Sequence, residues 1–104
     1  LAYDRLVMSP GIDFRWGEIE GYDEAASQIM PHAWKAGPQT VLLQKQLHAM
    51  PDGGTFIMAA PPMPFRCPPG PPERASMVAH YFKTQKPKSK VQACDTAVTS
   101  VKAL

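Results

Sequence analysis

The stretch that decides the fold is Thr55–Cys94, which reads TFIMAAPPMPFRCPPGPPERASMVAHYFKTQKPKSKVQAC. It opens on an unbroken apolar run, residues 55–60, which is typical of a central strand covered on both faces. Apolar side chains then recur with helical spacing over residues 72–86. The positions that carry this repeat are Ala75, Val78, Ala79 and Phe82. Residues 90–94 predict a second strand, so the stretch predicts a βαβ unit with parallel strands and a right-handed crossover.

Prolines mark the boundaries of the predicted helices. Pro72 suits the first position of a helix, where its missing N–H costs no hydrogen bond, and Pro87 ends the same helix. Pro38 suits the start of an earlier helix over residues 38–50. The apolar residues of that helix are Leu43, Leu47 and Met50.

The amino-terminal part of the chain is less regular. Leu6–Met8 is a short apolar run that predicts a buried strand, and the Ser-Pro-Gly sequence after it ends that strand. Residues 12–37 contain isolated aromatic residues and several helix breakers. We therefore expect a long excursion there, with one short helix near residues 22–30.

Length and composition limit the chain to one small domain. It has 104 residues, of which 44% are hydrophobic and 19% are charged, and this excludes wholesale disorder and a multidomain enzyme.

The second half of the chain has more basic than acidic residues, and the basic residues include Lys83, Lys86, Lys88 and Lys90. Since arginine and aromatic residues are not interleaved with them, we interpret these lysines as a solvated helix end and expect no nucleic-acid binding. No apolar run approaches the roughly 18 residues of a membrane span, and no signal-peptide series opens the chain.

The loop between the predicted strand and helix, Pro61–Pro72, is rich in proline. In a dinucleotide-binding βαβ unit this loop would read G-x-G-x-x-G and turn backbone N–H groups toward a pyrophosphate. Seven of its twelve residues are prolines without an N–H, and only Gly70 permits a close backbone approach. A nicotinamide nucleotide is therefore disfavoured at this edge. The prolines also fit an extended ligand for an aromatic-lined groove, although the flanking strand and helix favour a folded loop.

Cys67 lies in this loop, next to Arg66 and shortly before a helix N-terminus. Both neighbours favour a thiolate, so a redox or nucleophilic cysteine is one hypothesis, and a small buried apolar residue is the other. Cys94 ends a strand-like run and is interpreted as a core residue. A disulfide between the two would require the loop to fold back over the strand end, so we do not expect it. No metal site is expected, because the cysteines and histidines lack the spacing of a zinc site.

Four motifs resemble one family of flavoproteins. Tyr3–Gly11 (YDRLVMSPG) is similar to the strand that returns the chain to the FAD domain in flavoproteins with two dinucleotide-binding folds. Together with Ile19–Tyr22 (IEGY), Pro31–Thr40 (PHAWKAGPQT) and Pro64–Ala75 (PFRCPPGPPERA), it resembles the flavoprotein subunit of flavocytochrome c sulfide dehydrogenase. The last motif is highly specific. The resemblance covers about residues 2–91, so we expect an internal piece of a longer family chain.

The resemblance implies a function and a set of site residues. In the family, the cysteine of the Arg-Cys-Pro-Pro-Gly motif, matched here by Cys67, forms a redox-active disulfide beside the flavin with a distant cysteine. Sulfide is oxidised there, and electrons pass through FAD to a cytochrome c subunit, which implies a periplasmic location. Ser9, Pro10 and Gly11 are expected on the flavin side. This sequence contains neither the G-x-G-x-x-G of the FAD site nor a counterpart of the second cysteine, so turnover by this chain alone is not expected.

Three segments make up the chain in this interpretation. Residues 1–37 are the exit segment from an FAD-binding domain, residues 38–94 begin a second, Rossmann-like βαβ domain of the α/β class, and residues 95–104 are a divergent tail. The leading hypothesis is a fragment of a flavin-dependent sulfide dehydrogenase. The alternative is a small α/β scaffold or protein-interaction module without catalysis. Because a central apolar strand needs neighbours on both sides, we also expect self-association.

Overall fold

Two α-helices, a short 3-10 turn and one parallel pair of strands make up the regular structure of residues 2–94. The computed structural model describes residues 2–94, so the predicted tail over residues 95–104 lies outside the described residues. The elements in chain order are a 3-10 turn (Ala26–Gln28), α1 (Pro38–Ala49), β1 (Thr55–Ala59), α2 (Gly70–Gln85) and β2 (Lys90–Cys94). This order confirms the α/β class and the strand, helix and strand sequence of the βαβ unit.

The strands β1 and β2 lie side by side and run parallel, as predicted. Their register pairs Thr55 with Lys90 and Ala59 with Cys94. The N–H of Ala60 donates to the carbonyl oxygen of Cys94 at 3.1 Å, so the ladder continues one residue past β1. Parallel pairing brings the carboxyl ends of both strands to one edge, where the loop that leads to α2 begins.

The core lies where α2 packs against β2. Val78 and Phe82, which are one helical turn apart, are only 5% and 3% exposed. Ala75 is half-buried and Ala79 is exposed, so the buried stripe is narrower than the apolar repeat predicts. Because burying one large apolar side chain contributes roughly 1.5–3 kcal/mol, these two residues account for much of the attachment of the helix to the strand.

The helix α2 begins before the predicted residue 72 and ends before the predicted residue 86. Pro71 and Pro72 both lie in its first turn, where N–H groups have no partner within the helix. At the other end, the N–H of Lys86 donates to the carbonyl oxygen of Phe82 at 2.8 Å.

Among the described residues, neither α2 nor α1 has the length and apolar character that crossing a membrane requires.

Leu6–Met8 does not form the predicted strand. The segment has no regular structure, and the side chain of Val7 is 91% exposed. A strand is stable only when its N–H and C=O groups pair with a neighbour, and the described part of the chain pairs no strand with this segment. The apolar run alone therefore does not make a strand.

Two further predictions are wrong in detail. The predicted helix near residues 22–30 is reduced to the 3-10 turn, in which the Asp23 carboxylate accepts from the N–H of Ala26 at 2.7 Å. The strand β1 is not covered on both faces, because alternate residues are exposed and Ile57 is 64% exposed. Within the described range β1 pairs with β2 alone. The length of an apolar run indicates how much surface a strand can bury. It does not indicate how many neighbouring strands pair with that strand.

Candidate functional site

The loop between β1 and α2 presents Cys67 at the surface. Its thiol is free and exposed, and its backbone has a φ of +61°, in the left-handed region. The N–H of Gly70 donates to the carbonyl oxygen of Cys67 at 2.9 Å, which closes a turn directly into α2. Prolines occupy positions 68 and 69 between these two residues, so the turn is stiff. The sequence hypothesis of a small buried apolar residue at Cys67 is wrong.

The indole of Trp34 lies against this turn. A Cβ at Gly70 would be 3.0 Å from Cη2 of Trp34 and 3.7 Å from Sγ of Cys67. On its other side, the indole meets Phe65 edge to face, with ring centroids 6.2 Å apart. The glycine at position 70 therefore makes room for the aromatic ring beside the cysteine.

Arg74, on the second turn of α2, attaches the segment that carries Trp34. Its Nη1 donates to the carbonyl oxygen of His32 at 2.7 Å, and its Nη2 donates to the carbonyl oxygen of Ala33. Ala33 is buried and has a φ of +45°, so this part of the chain bends sharply toward the helix. The guanidinium carbon also lies 5.9 Å from the centroid of the Trp34 ring. Burial lowers the pKa of Arg74 from its usual value.

The surroundings of His32 favour its neutral form. Its Nδ1 accepts from the N–H of Trp34 at 3.0 Å, and its ring lies 4.2 Å from that of Phe14 between centroids. Partial burial lowers the pKa of His32, and the positive charges of Lys35 and Arg74 lower it further. A neutral imidazole with Nδ1 as acceptor is the tautomer that this contact requires.

An open cleft of about 670 Å³ lies between α1 and α2, with Cys67, Trp34 and Gly70 in its wall. Leu43 and Leu47 line it from α1. Apolar side chains thus surround much of the cleft beside an exposed thiol. Such a cleft can admit a small nucleophile or oxidant to the sulfur.

The other predicted site residues lie elsewhere. Ser9, Pro10 and Gly11 are exposed and are not among the residues that line this cleft. Gly11 has a φ of +79°, and no other atom lies within 4 Å of the place a Cβ would take there. Cys94 is half-buried in β2 and free. Residues 2–94 hold no group of three metal-ligating side chains.

The described residues do not form a complete site for FAD. A dinucleotide pyrophosphate needs several backbone N–H groups aimed at it, but the loop after β1 is largely proline. The N–H of Gly70, the one glycine there, already donates to Cys67. We therefore derive no chemical step through FAD from these residues.

Trp34 and Arg74 were not recognised as site residues from the sequence. The carbonyl groups that Arg74 contacts are 41 and 42 residues away along the chain. No local periodicity reports a contact over such a separation. Trp34 and Arg74 each lie in a motif of the sequence, but the sequence does not show that they lie close together in the fold.

A comparison with protein families covers the part of the site that lies on the loop after β1 and on α2. A family model described as the central part of the sulfide dehydrogenase (flavocytochrome c) flavoprotein chain matches residues 40–103. The match includes Cys67 and its Pro-rich motif, and it extends into residues 95–104, the tail that we expected to diverge. It confirms the resemblance drawn from the motifs. Because the match spans more than half of the chain, the protein belongs to the family of sulfide dehydrogenase (flavocytochrome c) flavoprotein chains.

Proposed function

We propose that this chain supplies the central part of a flavin-dependent sulfide dehydrogenase, and that Cys67 is the cysteine at which sulfide is oxidised. The observation that carries the proposal is the geometry of Cys67. Its thiol is exposed and held in a left-handed turn in the wall of an open cleft. A thiol with that access can exchange with a disulfide, whereas a buried thiol is inert.

The remaining parts of the proposal follow from family membership. FAD would accept the electrons, and a cytochrome c subunit would receive them from the flavin. The enzyme would act in the periplasm. Ser9, Pro10 and Gly11 would lie on the flavin side once the rest of an FAD domain is present. The prolines of the loop after β1 support this assignment, because an enzyme that passes electrons to haem needs no nicotinamide site.

A chimaera tests the proposal. Residues 2–91 would replace the corresponding segment in a flavoprotein subunit of this family, and the product would be assayed for flavin absorbance and for sulfide-dependent reduction of cytochrome c. We expect both properties in the parent chimaera. Cys67→Ser should keep the flavin absorbance and lose the reduction. Met63→Leu, at an exposed position in the same loop, is the matched control and should keep both.

The outcomes separate the two hypotheses for function. A chimaera that binds flavin but reduces cytochrome c equally well with Cys67→Ser would contradict the role of the cysteine. A chimaera that binds flavin and never responds to sulfide would favour the scaffold or interaction module.

A further inference from the structure

Trp34 and Cys67 flank the same glycine at the start of α2. A Cβ at Gly70 would lie 3.0 Å from Cη2 of the indole and 3.7 Å from Sγ of the cysteine, so both groups border the space that a side chain would fill. The indole therefore rests on the turn that carries the thiol.

Arg74 determines where the indole lies. Its guanidinium donates from two nitrogens to the carbonyl oxygens of His32 and Ala33, the two residues directly before Trp34. The same guanidinium lies 5.9 Å from the centroid of the indole. Arg74 and Gly70 are one turn apart on the same helix, so the residue that anchors the indole and the residue that makes room for it move together.

The backbone of Cys67 needs this support. A left-handed conformation is unfavourable in a residue that has a Cβ, so the turn relaxes unless its surroundings hold it. The hydrogen bond from Gly70 closes the turn, and the Trp34 indole packs beside it. Removing the indole would let Cys67 leave the left-handed region and carry its thiol away from the cleft wall.

We propose that Arg74 is a positioning residue for Cys67 and acts through the indole of Trp34. The inference rests on the proposed function in one respect, that Cys67 is the cysteine at which sulfide is oxidised. It does not require Arg74 to touch sulfide or flavin. Arg74 orients the peptide segment, the segment orients the indole, and the indole holds the turn.

The test uses the whole chain and the indole N–H resonances of its two tryptophans. A Cys94→Ala background leaves Cys67 as the one thiol, and Trp16→Phe assigns the two signals. Alkylation of Cys67 with iodoacetamide should shift the Trp34 resonance. The Trp16 resonance is the internal control and should stay in place.

Two substitutions then change the proposed coupling by different routes. Arg74→Lys keeps the charge but loses the planar fork that reaches both carbonyl groups. Gly70→Ala leaves the backbone donors and acceptors in place, but its Cβ would lie 3.0 Å from Cη2 of the indole, so the ring must shift by a few tenths of an ångström. Arg74→Lys should abolish the response of Trp34 to alkylation, and Gly70→Ala should change its size. Arg15→Lys, at an exposed arginine, is the matched control and should preserve it.

The outcomes are independent of the chimaera experiment, because alkylation needs neither sulfide nor flavin. If Arg74→Lys does not fold, as judged by its far-ultraviolet circular dichroism, the Gly70→Ala variant tests whether the indole must lie against the turn. A Trp34 resonance that ignores alkylation in the parent chain would overturn the inference. A response of unchanged size in a folded Gly70→Ala variant would overturn it as well.

Discussion

Lys86 donates from its ammonium group to the carbonyl oxygen of Leu47, 2.7 Å away, although the two residues are 39 positions apart. The same ammonium donates to the carbonyl oxygens of His48 and Met50. One cation at the end of α2 thus satisfies the free carbonyl groups at the end of α1. This contact joins the two helices below the open cleft that Leu47 lines.

Lys86→Met is expected to lower the free energy of unfolding by about 1–2 kcal/mol, because a cation at a helix C-terminus and its hydrogen bonds are lost together. Chemical denaturation measures this change. Lys83→Met, at an exposed lysine in the last turn of α2, is the matched control. Equal effects of the two substitutions would mean that the contact with α1 adds nothing.

Phe82→Ala is expected to lower the free energy of unfolding by about 3 kcal/mol or more, because the side chain is almost fully buried and a cavity remains. Met77→Ala removes a similar volume from the same helix at a position that is 67% exposed, and should change stability by less than about 0.5 kcal/mol. Thermal and denaturant unfolding check both values. A small effect of Phe82→Ala would show that the packing of α2 on β2 does not hold the fold.

The stability of the chain should depend on the protonation of His32. Because the pKa of His32 is lowered below 6.5 in the fold, the native state binds fewer protons than the unfolded state there. The contribution is complete above 6.5 and is lost as the pH falls through the lowered pKa of His32. His32→Asn keeps an acceptor for the N–H of Trp34 but does not titrate, so its stability should fall less on acidification. Unfolding curves with the same pH dependence in both proteins would contradict this.

Cys67 should react with iodoacetamide faster than Cys94. The first thiol is exposed in a loop, whereas the second is half-buried in a strand that pairs with β1. Timed alkylation followed by peptide mass spectrometry measures both rates in one sample. Faster labelling at Cys94 would remove the case for an accessible Cys67, and a reducible block at both positions would reveal a disulfide.

Self-association is expected from the exposed apolar surface of β1. Ile57 is 64% exposed, and β1 has one unpaired edge within the described residues. Sedimentation should show a mass that rises with concentration, and Ile57→Lys should reduce that rise. Met77→Lys adds the same charge at a similarly exposed position on α2 and serves as the control. A clean monomer at high concentration would contradict the prediction.

Local patterns predicted most of the regular structure. The helical repeat that contains Val78 and Phe82 predicts α2, because a helix forms its hydrogen bonds between residues four positions apart. The apolar run of Thr55–Ala59 predicts β1, which forms its hydrogen bonds once its partner β2 lies beside it. The same logic failed for Leu6–Met8. That segment has the composition of a strand, but a strand also needs a partner, and composition does not report partners.

The sequence by itself determined the order of the elements and the lack of N–H donors in the loop after β1, because spacing and proline chemistry act within a few residues. It determined the parallel pairing through a general rule, since two strands joined by a crossover helix pair in parallel almost without exception. It also led to the family through contiguous motifs around Cys67. Only the tertiary structure decided that Arg74 anchors the segment before Trp34, that the indole lies against Gly70 and that Lys86 caps α1. These contacts join residues 36 to 42 positions apart, and their energies arise only when the whole chain has brought the groups together.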